Sequence, residues 1–169
     1  MTSMIVGISD CKVTNDRDAV LTTYALGSCV AVAVHDPVSA IGGLLHYMLP
    51  EASLDRAKAE SNPYMFADTG IQGLLQMVCN GGANPRRLVV RIAGGAQVLD
   101  GHEVFQIGKR NYLAARKLLW KAGILVAAER VGGGVSRTVR LEVGTGKTWV
   151  REDGVDQQLG DTRRTAGGA

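Results

Sequence analysis

Aromatic side chains are scarce in this chain: two Trp, two Phe and four Tyr among 169 residues, 5% in all. With so few rings, no basic run in the folded part and a net charge of only +3, the sequence has neither the stacking platform nor the charge stripe of a nucleic-acid binder. Cysteine is equally sparse. Cys11, Cys29 and Cys79 lack Cys-x-x-Cys spacing and cannot all pair, which excludes a disulfide scaffold, argues against a zinc site and points to a reducing cytoplasm. No apolar run approaches the ~20 residues that span a bilayer. The N-terminus has none of the charged and apolar regions of a signal peptide, so any membrane association is expected to come through a partner. Nucleotide-binding signatures are missing too: Leu88-Val89-Val90-Arg91-Ile92 runs into Gly94-Gly95, but neither G-x-G-x-x-G nor G-x-x-x-x-G-K-[ST] follows. Close backbone packing is the better account of those glycines.

What is present is an ordinary globular composition, 46% apolar and 21% charged, with length for one well-cored domain. Its most informative stretch holds one thiol and one imidazole. Cys29 follows Thr22-Thr23-Tyr24-Ala25-Leu26-Gly27-Ser28, and His46 lies in Ile41-Gly42-Gly43-Leu44-Leu45-His46-Tyr47-Met48-Leu49-Pro50. The segment between reads as two strands, 29–35 and 40–49, joined by Asp36-Pro37-Val38-Ser39, which carries turn residues. If residues 35 and 40 close the loop opposite each other, the register carries Cys29 opposite His46, on one face and within hydrogen-bond reach, unless a bulge at Gly42-Gly43 intervenes.

Such a pair has a clear chemical use. A free thiol is mostly protonated at neutral pH, and an adjacent imidazole can take its proton, then return it to a leaving group. No cofactor or metal is required. A strand Cys packed as a small hydrophobe beside a core His is the plainer account of these two residues, and an activated Cys29 would differ from it by reacting with iodoacetamide far faster than Cys11 or Cys79. Gly27-Ser28-Cys29 is a candidate source of backbone donors for an oxyanion, with Gly27 free to take unusual angles, although a plain turn glycine fits as well.

Elsewhere the pattern predicts strands at 4–8, 19–24, 88–93, 124–128, 138–143 and 147–150. Helices are expected over 68–79, capped by Asp68 with Ile71, Leu74, Leu75 and Val78 on one face, and over 109–122, with Tyr112, Ala115, Leu118 and Leu119 inward and Gly123 as terminator. Residues 51–63 read as a polar loop close after the His46 strand, either a mobile cover for the site or a plain connection. His102 and His35 read as solvated histidines, Cys79 as inert, and Arg137 as an anchor for the neighbouring glycine turn. Residues 152–169 read as a polar, disordered tail after a single domain spanning 1–151. Two amphipathic helices cover only one face of a sheet, so the other face needs a second sheet. The expected class is α/β, a three-layer sandwich of helices, sheet and sheet with mostly antiparallel or mixed strands.

Several motifs in order carry a family resemblance: Thr23; Leu26-Gly27-Ser28-Cys29; Gly42-Gly43 with His46 and Met48-Leu49-Pro50; Tyr64-Met65-Phe66-Ala67-Asp68; Ile92-Ala93-Gly94-Gly95-Ala96; Ile107-Gly108-Lys109-Arg110-Asn111; Gly132-Gly133 with Arg137; and Gly144-Thr145-Gly146. Across roughly residues 4–151 the chain resembles the CheD family, the chemoreceptor glutamine deamidases of bacterial chemotaxis. Departures at Gly134 and Ser136, where the family often has Asn and Gly, lie far in sequence from the thiol. The resemblance implies the same sandwich, distantly like toxin deamidases of the cytotoxic necrotizing factor group. It also implies a catalytic trio of Cys29, His46 and Thr23, the hydroxyl orienting the imidazole. Sequence alone does not separate Thr23 from Thr22, although the six-residue spacing to Cys29 favours Thr23, and only one of them can face the site from a strand. The activity implied is conversion of receptor glutamine to glutamate through a thioester, with methylglutamate ester hydrolysis by the same route. Methyl-accepting chemoreceptors are the implied substrate, and a CheC-type phosphatase the implied partner. Two other readings are a regulatory binder of such a phosphatase with an idle thiol, and a cysteine peptidase. The second is disfavoured because no Asn or Asp is clearly placed to orient His46.

Overall fold

The computed structural model describes residues 1–97 and 106–160. His102 and residues 161–169, both read above from sequence, lie outside the described residues. Two five-stranded sheets pack face to face, with helices on the far side of one of them. The central sheet runs β2-β5-β4-β6-β7: Asp10–Thr14, Ile41–Tyr47, Val30–Asp36, Val89–Gly94 and Val126–Val131. The outer sheet runs β1-β3-β8-β9-β10: Thr2–Ile5, Ala19–Leu26, Arg137–Glu142, Thr148–Glu152 and Val155–Gln158. Pairing is antiparallel except for β1 with β3 and β6 with β7. The second parallel pair is bridged by helix α3 (Ile107–Lys121), as parallel strands need a crossover. The expected helix–sheet–sheet sandwich with mixed strands is the one observed.

Strand β4 shows how the layers are set. Val30, Val32 and Val34 point into the core beneath α2 (Ala67–Asn80) and α3, whereas Ala31 and Ala33 face the outer sheet. Alternation sends successive side chains to opposite faces, and here it sorts them by size. Branched residues fill the deep helix-side core. Alanines, with Gly42 against the Val143 and Leu141 side chains, let the two sheets approach closely. That approach allows a short side chain of one sheet to reach a residue of the other.

Four expectations change. The segment 51–63 is not plain loop: Arg56–Ser61 forms helix α1, whose N-cap Asp55 accepts from the Lys58 N–H at 3.1 Å. Helix α2 starts after Phe66 with no side-chain cap, and Asp68 instead accepts from the Ala52 N–H at 3.0 Å. His35 is buried, not solvated, with Nε2 donating to the Val143 carbonyl at 2.8 Å. The chain also stays ordered past residue 152, because β9 turns at Asp153-Gly154, both at positive φ, and returns as β10. Asp-Gly is a strong two-residue hairpin signal, and Leu159 extends the pairing by donating its N–H to the Thr148 carbonyl at 2.7 Å.

Candidate functional site

The β4–β5 hairpin forms as expected, but its register differs. Asp36 pairs with Ile41 and His35 with Gly42, so His46 opposes Ala31 and Cys29 lies just before the first paired residue, Val30. The four-residue turn sits one position later in the chain, closing at Asp36 and Ile41, because the Asp36 carboxylate accepts from the N–H groups of Val38 and Ser39, at 2.9 and 3.4 Å, while Ala40 adopts φ +53°. This moves the partner of Cys29 along by two positions. An even shift keeps the same face, where an odd one would have turned one residue away. Cys29 and His46 therefore share the inter-sheet face but stand diagonally, and no hydrogen bond joins them. His46 Nε2 is buried without a partner among the described residues.

The other imidazole nitrogen is firmly held. Thr23 Oγ1, from β3 of the outer sheet, lies 2.7 Å from His46 Nδ1 and 2.7 Å from the Val6 carbonyl oxygen. A carbonyl only accepts, so the threonine hydroxyl spends its one hydrogen on Val6 and must accept from Nδ1–H. The tautomer follows: hydrogen on Nδ1, lone pair on Nε2. Thr23 is fully buried and faces the imidazole, whereas Thr22, its neighbour on the strand, points to the other side. The local backbone supports this placement. β3 carries an irregularity between Thr23 and Leu26, where Ala25 takes φ +58°, and the Gly27 N–H donates to the Ala25 carbonyl at 3.1 Å. The left-handed residue ahead of the thiol is thus Ala25, where the sequence pointed to Gly27.

Cys29 is half-buried. Burial pushes its thiol up and its own backbone N–H, facing the sulfur, partly offsets that. Burial alone holds His46 down, at about 4. At neutral pH the pair at rest is thiol and neutral imidazole. Cys11 sits beneath the helices, its thiol pushed up to about 12 by burial and then by Asp10. Cys79 also packs on the helix side, so neither joins the site.

The loop bearing Cys29 is fixed from behind. Gly95 N–H donates to the Cys29 carbonyl and Ala96 N–H to the Gly27 carbonyl, both at 2.8 Å. A side chain at Gly94 would collide with the Cys29 carbonyl, which is why a glycine with φ +109° stands there. The paired glycines are a packing device, as their sequence context suggested. Arg137 anchors this corner: it is buried, donates to the Gly94 carbonyl at 3.2 Å and pairs with Glu152. Three contributors escaped the sequence reading: Val6 through its carbonyl, Tyr47, whose O–H donates to the Asn111 carbonyl at 2.6 Å, and Asn111 itself. Asn111 stood inside the Ile-Gly-x-Arg-Asn motif, the one signal that could have found it.

The family model for "CheD chemotactic sensory transduction" matches residues 48–152, a span that begins just after His46. Relatives extend the likeness over the hairpin. The chain is 57% identical over 159 residues to a probable chemoreceptor glutamine deamidase CheD of Solibacter usitatus, covering 94% of each protein. It is 49% identical over 154 residues to a probable chemoreceptor glutamine deamidase CheD 1 of Syntrophus aciditrophicus, covering 91% of this chain and 96% of the relative. A solved structure, the hypothetical protein YfiH of Bacillus licheniformis, superposes on 74% of this chain and 50% of its own with a TM-score of 0.46 at 18% identity.

Proposed function

This chain belongs to the CheD family, and from that premise we propose that it hydrolyses glutamine side-chain amides of chemoreceptors to glutamate, with Cys29 as nucleophile, His46 as proton carrier and Thr23 as the residue that orients it. The observation that carries the reading is the relay from the Val6 carbonyl through Thr23 to His46 Nδ1, which leaves Nε2 as a bare proton acceptor on the face shared with Cys29. As the sulfur attacks the amide carbon, its proton passes to Nε2. The Cys29 N–H donates to the oxyanion. The tetrahedral adduct collapses as Nε2–H protonates the leaving nitrogen, releasing ammonia and leaving a thioester. Water, deprotonated by Nε2, then attacks the thioester, and the thiolate leaves and regains its proton. A methylglutamate ester follows the same course with methanol as leaving group.

Threonine suits this cycle differently from a carboxylate. It adds no charge, so burial keeps His46 neutral at rest and the nucleophile forms only as the substrate carbon arrives. Three free thiols support a cytoplasmic setting.

The test is mass spectrometry of a receptor cytoplasmic fragment incubated with the protein or with Cys29→Ala. Conversion of amide to acid with the parent alone is the expected result. An unchanged fragment from the same organism, with the protein shown folded, would end the enzymatic reading and favour a binder of a CheC-type phosphatase.

A further inference from the structure

The buried side chain of Asn111 hydrogen-bonds to neither Thr23 nor His46, yet it holds both halves of the site. Its Nδ2 donates one hydrogen to the Ser28 carbonyl at 2.9 Å and the other to the Met48 carbonyl at 2.8 Å. Ser28 immediately precedes the thiol. Met48 lies two residues beyond His46. One amide nitrogen on α3 thus ties the Cys29 loop to the end of the His46 strand, just beyond the Val30–Tyr47 pair.

The first of these bonds also sets the aim of a peptide group. The Ser28–Cys29 peptide is trans, so its carbonyl and N–H point to opposite sides. Asn111 draws the carbonyl toward the helix layer, which turns the N–H of Cys29 toward the inter-sheet side. There the Cys29 side chain packs, in keeping with the lowering influence of its own backbone N–H on the thiol. We propose that Asn111 is a positioning residue for the reaction: it holds the Cys29 N–H toward the sulfur and the reacting carbon, and holds the thiol loop at working distance from His46. This rests on the reading of Cys29 as nucleophile.

Asparagine suits the task because two donors on one nitrogen form a rigid fork without charge. A leucine would fill the space with no donor, and a lysine would bury a charge. The mount is itself secured, since the Asn111 backbone carbonyl accepts from Tyr47 O–H, and the N-terminal turn of α3 sits close enough that a side chain at Gly108 would meet the carbonyls of Gly95 and Ala96.

The experiment compares Asn111→Ala with Leu119→Ala, a buried core residue of the same helix. Both lower the melting temperature. Deamidation by Asn111→Ala is expected to lose about 10²- to 10³-fold in kcat, the effect of losing an oxyanion donor, with KM little changed. The pH profile of Cys29 alkylation shifts upward. Leu119→Ala, assayed where it is folded, keeps the parent kcat and profile. If Asn111→Ala behaves like Leu119→Ala in both readouts, the residue is only structural and the proposal is overturned. Should Asn111→Ala not fold, Asn111→Gln decides, since it keeps both donors but displaces them by one methylene: a lowered kcat in a folded protein is the expected result, and parent kcat with the parent alkylation profile would overturn the proposal. Full activity of Cys29→Ala would instead sink the nucleophile reading, a separate outcome.

Discussion

The β4–β5 hairpin carries two buried histidines on one face, and both look across at the outer sheet. His35, at the turn end, donates from Nε2 to the Val143 carbonyl, and its Nδ1 lies so near Gly146 that a side chain there would collide with it. His46, at the open end, donates from Nδ1 to Thr23 and leaves Nε2 with no partner among the described residues. Both are held below the ordinary pKa, mainly by burial. Burial and a lowered pKa therefore do not by themselves single out the proposed proton carrier. The difference lies in which nitrogen the outer sheet engages and in what shares the face: Nε2 of His35 beside a glycine turn, Nδ1 of His46 on the face that also carries Cys29.

The largest expected effects separate the two histidines. His46→Ala should lower kcat for amide hydrolysis by about 10²- to 10⁴-fold, the range for loss of a general base. His35→Gln should leave kcat near the parent value while lowering stability by about 1–3 kcal/mol, the range for an orphaned buried partner. Calorimetry and initial rates on the same two variants would undo the contrast if either histidine moved both quantities alike. Next comes the orienting hydroxyl. Thr23→Val keeps the volume but removes the acceptor for Nδ1–H. A lost hydrogen bond of about 1.5–3 kcal/mol corresponds to roughly ten- to a hundredfold in rate, which Thr23→Ser should restore. A drop shared equally by Thr23→Val and Thr23→Ser would mean packing matters and the hydroxyl does not.

The smallest effect concerns acid. His46 titrates at about 4 in the fold against an ordinary 6.5. Between those values the unfolded chain takes up a proton that the native state refuses, so stability falls as pH drops from 6.5 toward 4 and is unaffected above it. His35 contributes in the same direction. Below that window the carboxylates take over: Glu152, held at about 2 by Arg130 and Arg137, loses its stabilising ionisation as pH falls below 4.5. Thermal melts across pH should show these two stages, and His35→Gln should flatten only the upper one. The neutral imidazole also predicts that His46 does not limit the acid side of kcat/KM until near pH 4.

Much of this was legible in the chain. Turn residues at 36–39 gave the hairpin, and an apolar stripe at helical spacing placed α2, with Ile71, Leu74 and Val78 fully inward. The family motifs named Cys29, His46 and Thr23, and the hydrogen bond from His46 to Thr23 is consistent with that choice. The two-position register shift was not legible. It depends on a carboxylate folding back onto the turn backbone, which residue types alone leave open. Strand β10 escaped because all four of its residues are exposed and carry no alternation. Strand β2 escaped as a short, polar edge. The role of Asn111 is tertiary: on the helix it is one more polar residue, and only the meeting of α3 with two strand ends gives its hydrogens their acceptors.

Thr23 and His46 belong to different sheets, and this has a bearing on folding. A chain in which the central sheet has formed but the outer one has not yet docked already holds thiol and imidazole side by side, with nothing to choose between the two ring tautomers. On the proposed roles, full activity then requires closure of the sandwich, which supplies the Thr23 acceptor that fixes the tautomer. A copy whose sheets have not closed is expected to turn over glutamine roughly ten- to a hundredfold more slowly, as Thr23→Val is, so the rate itself becomes a gauge of how completely the two sheets have met.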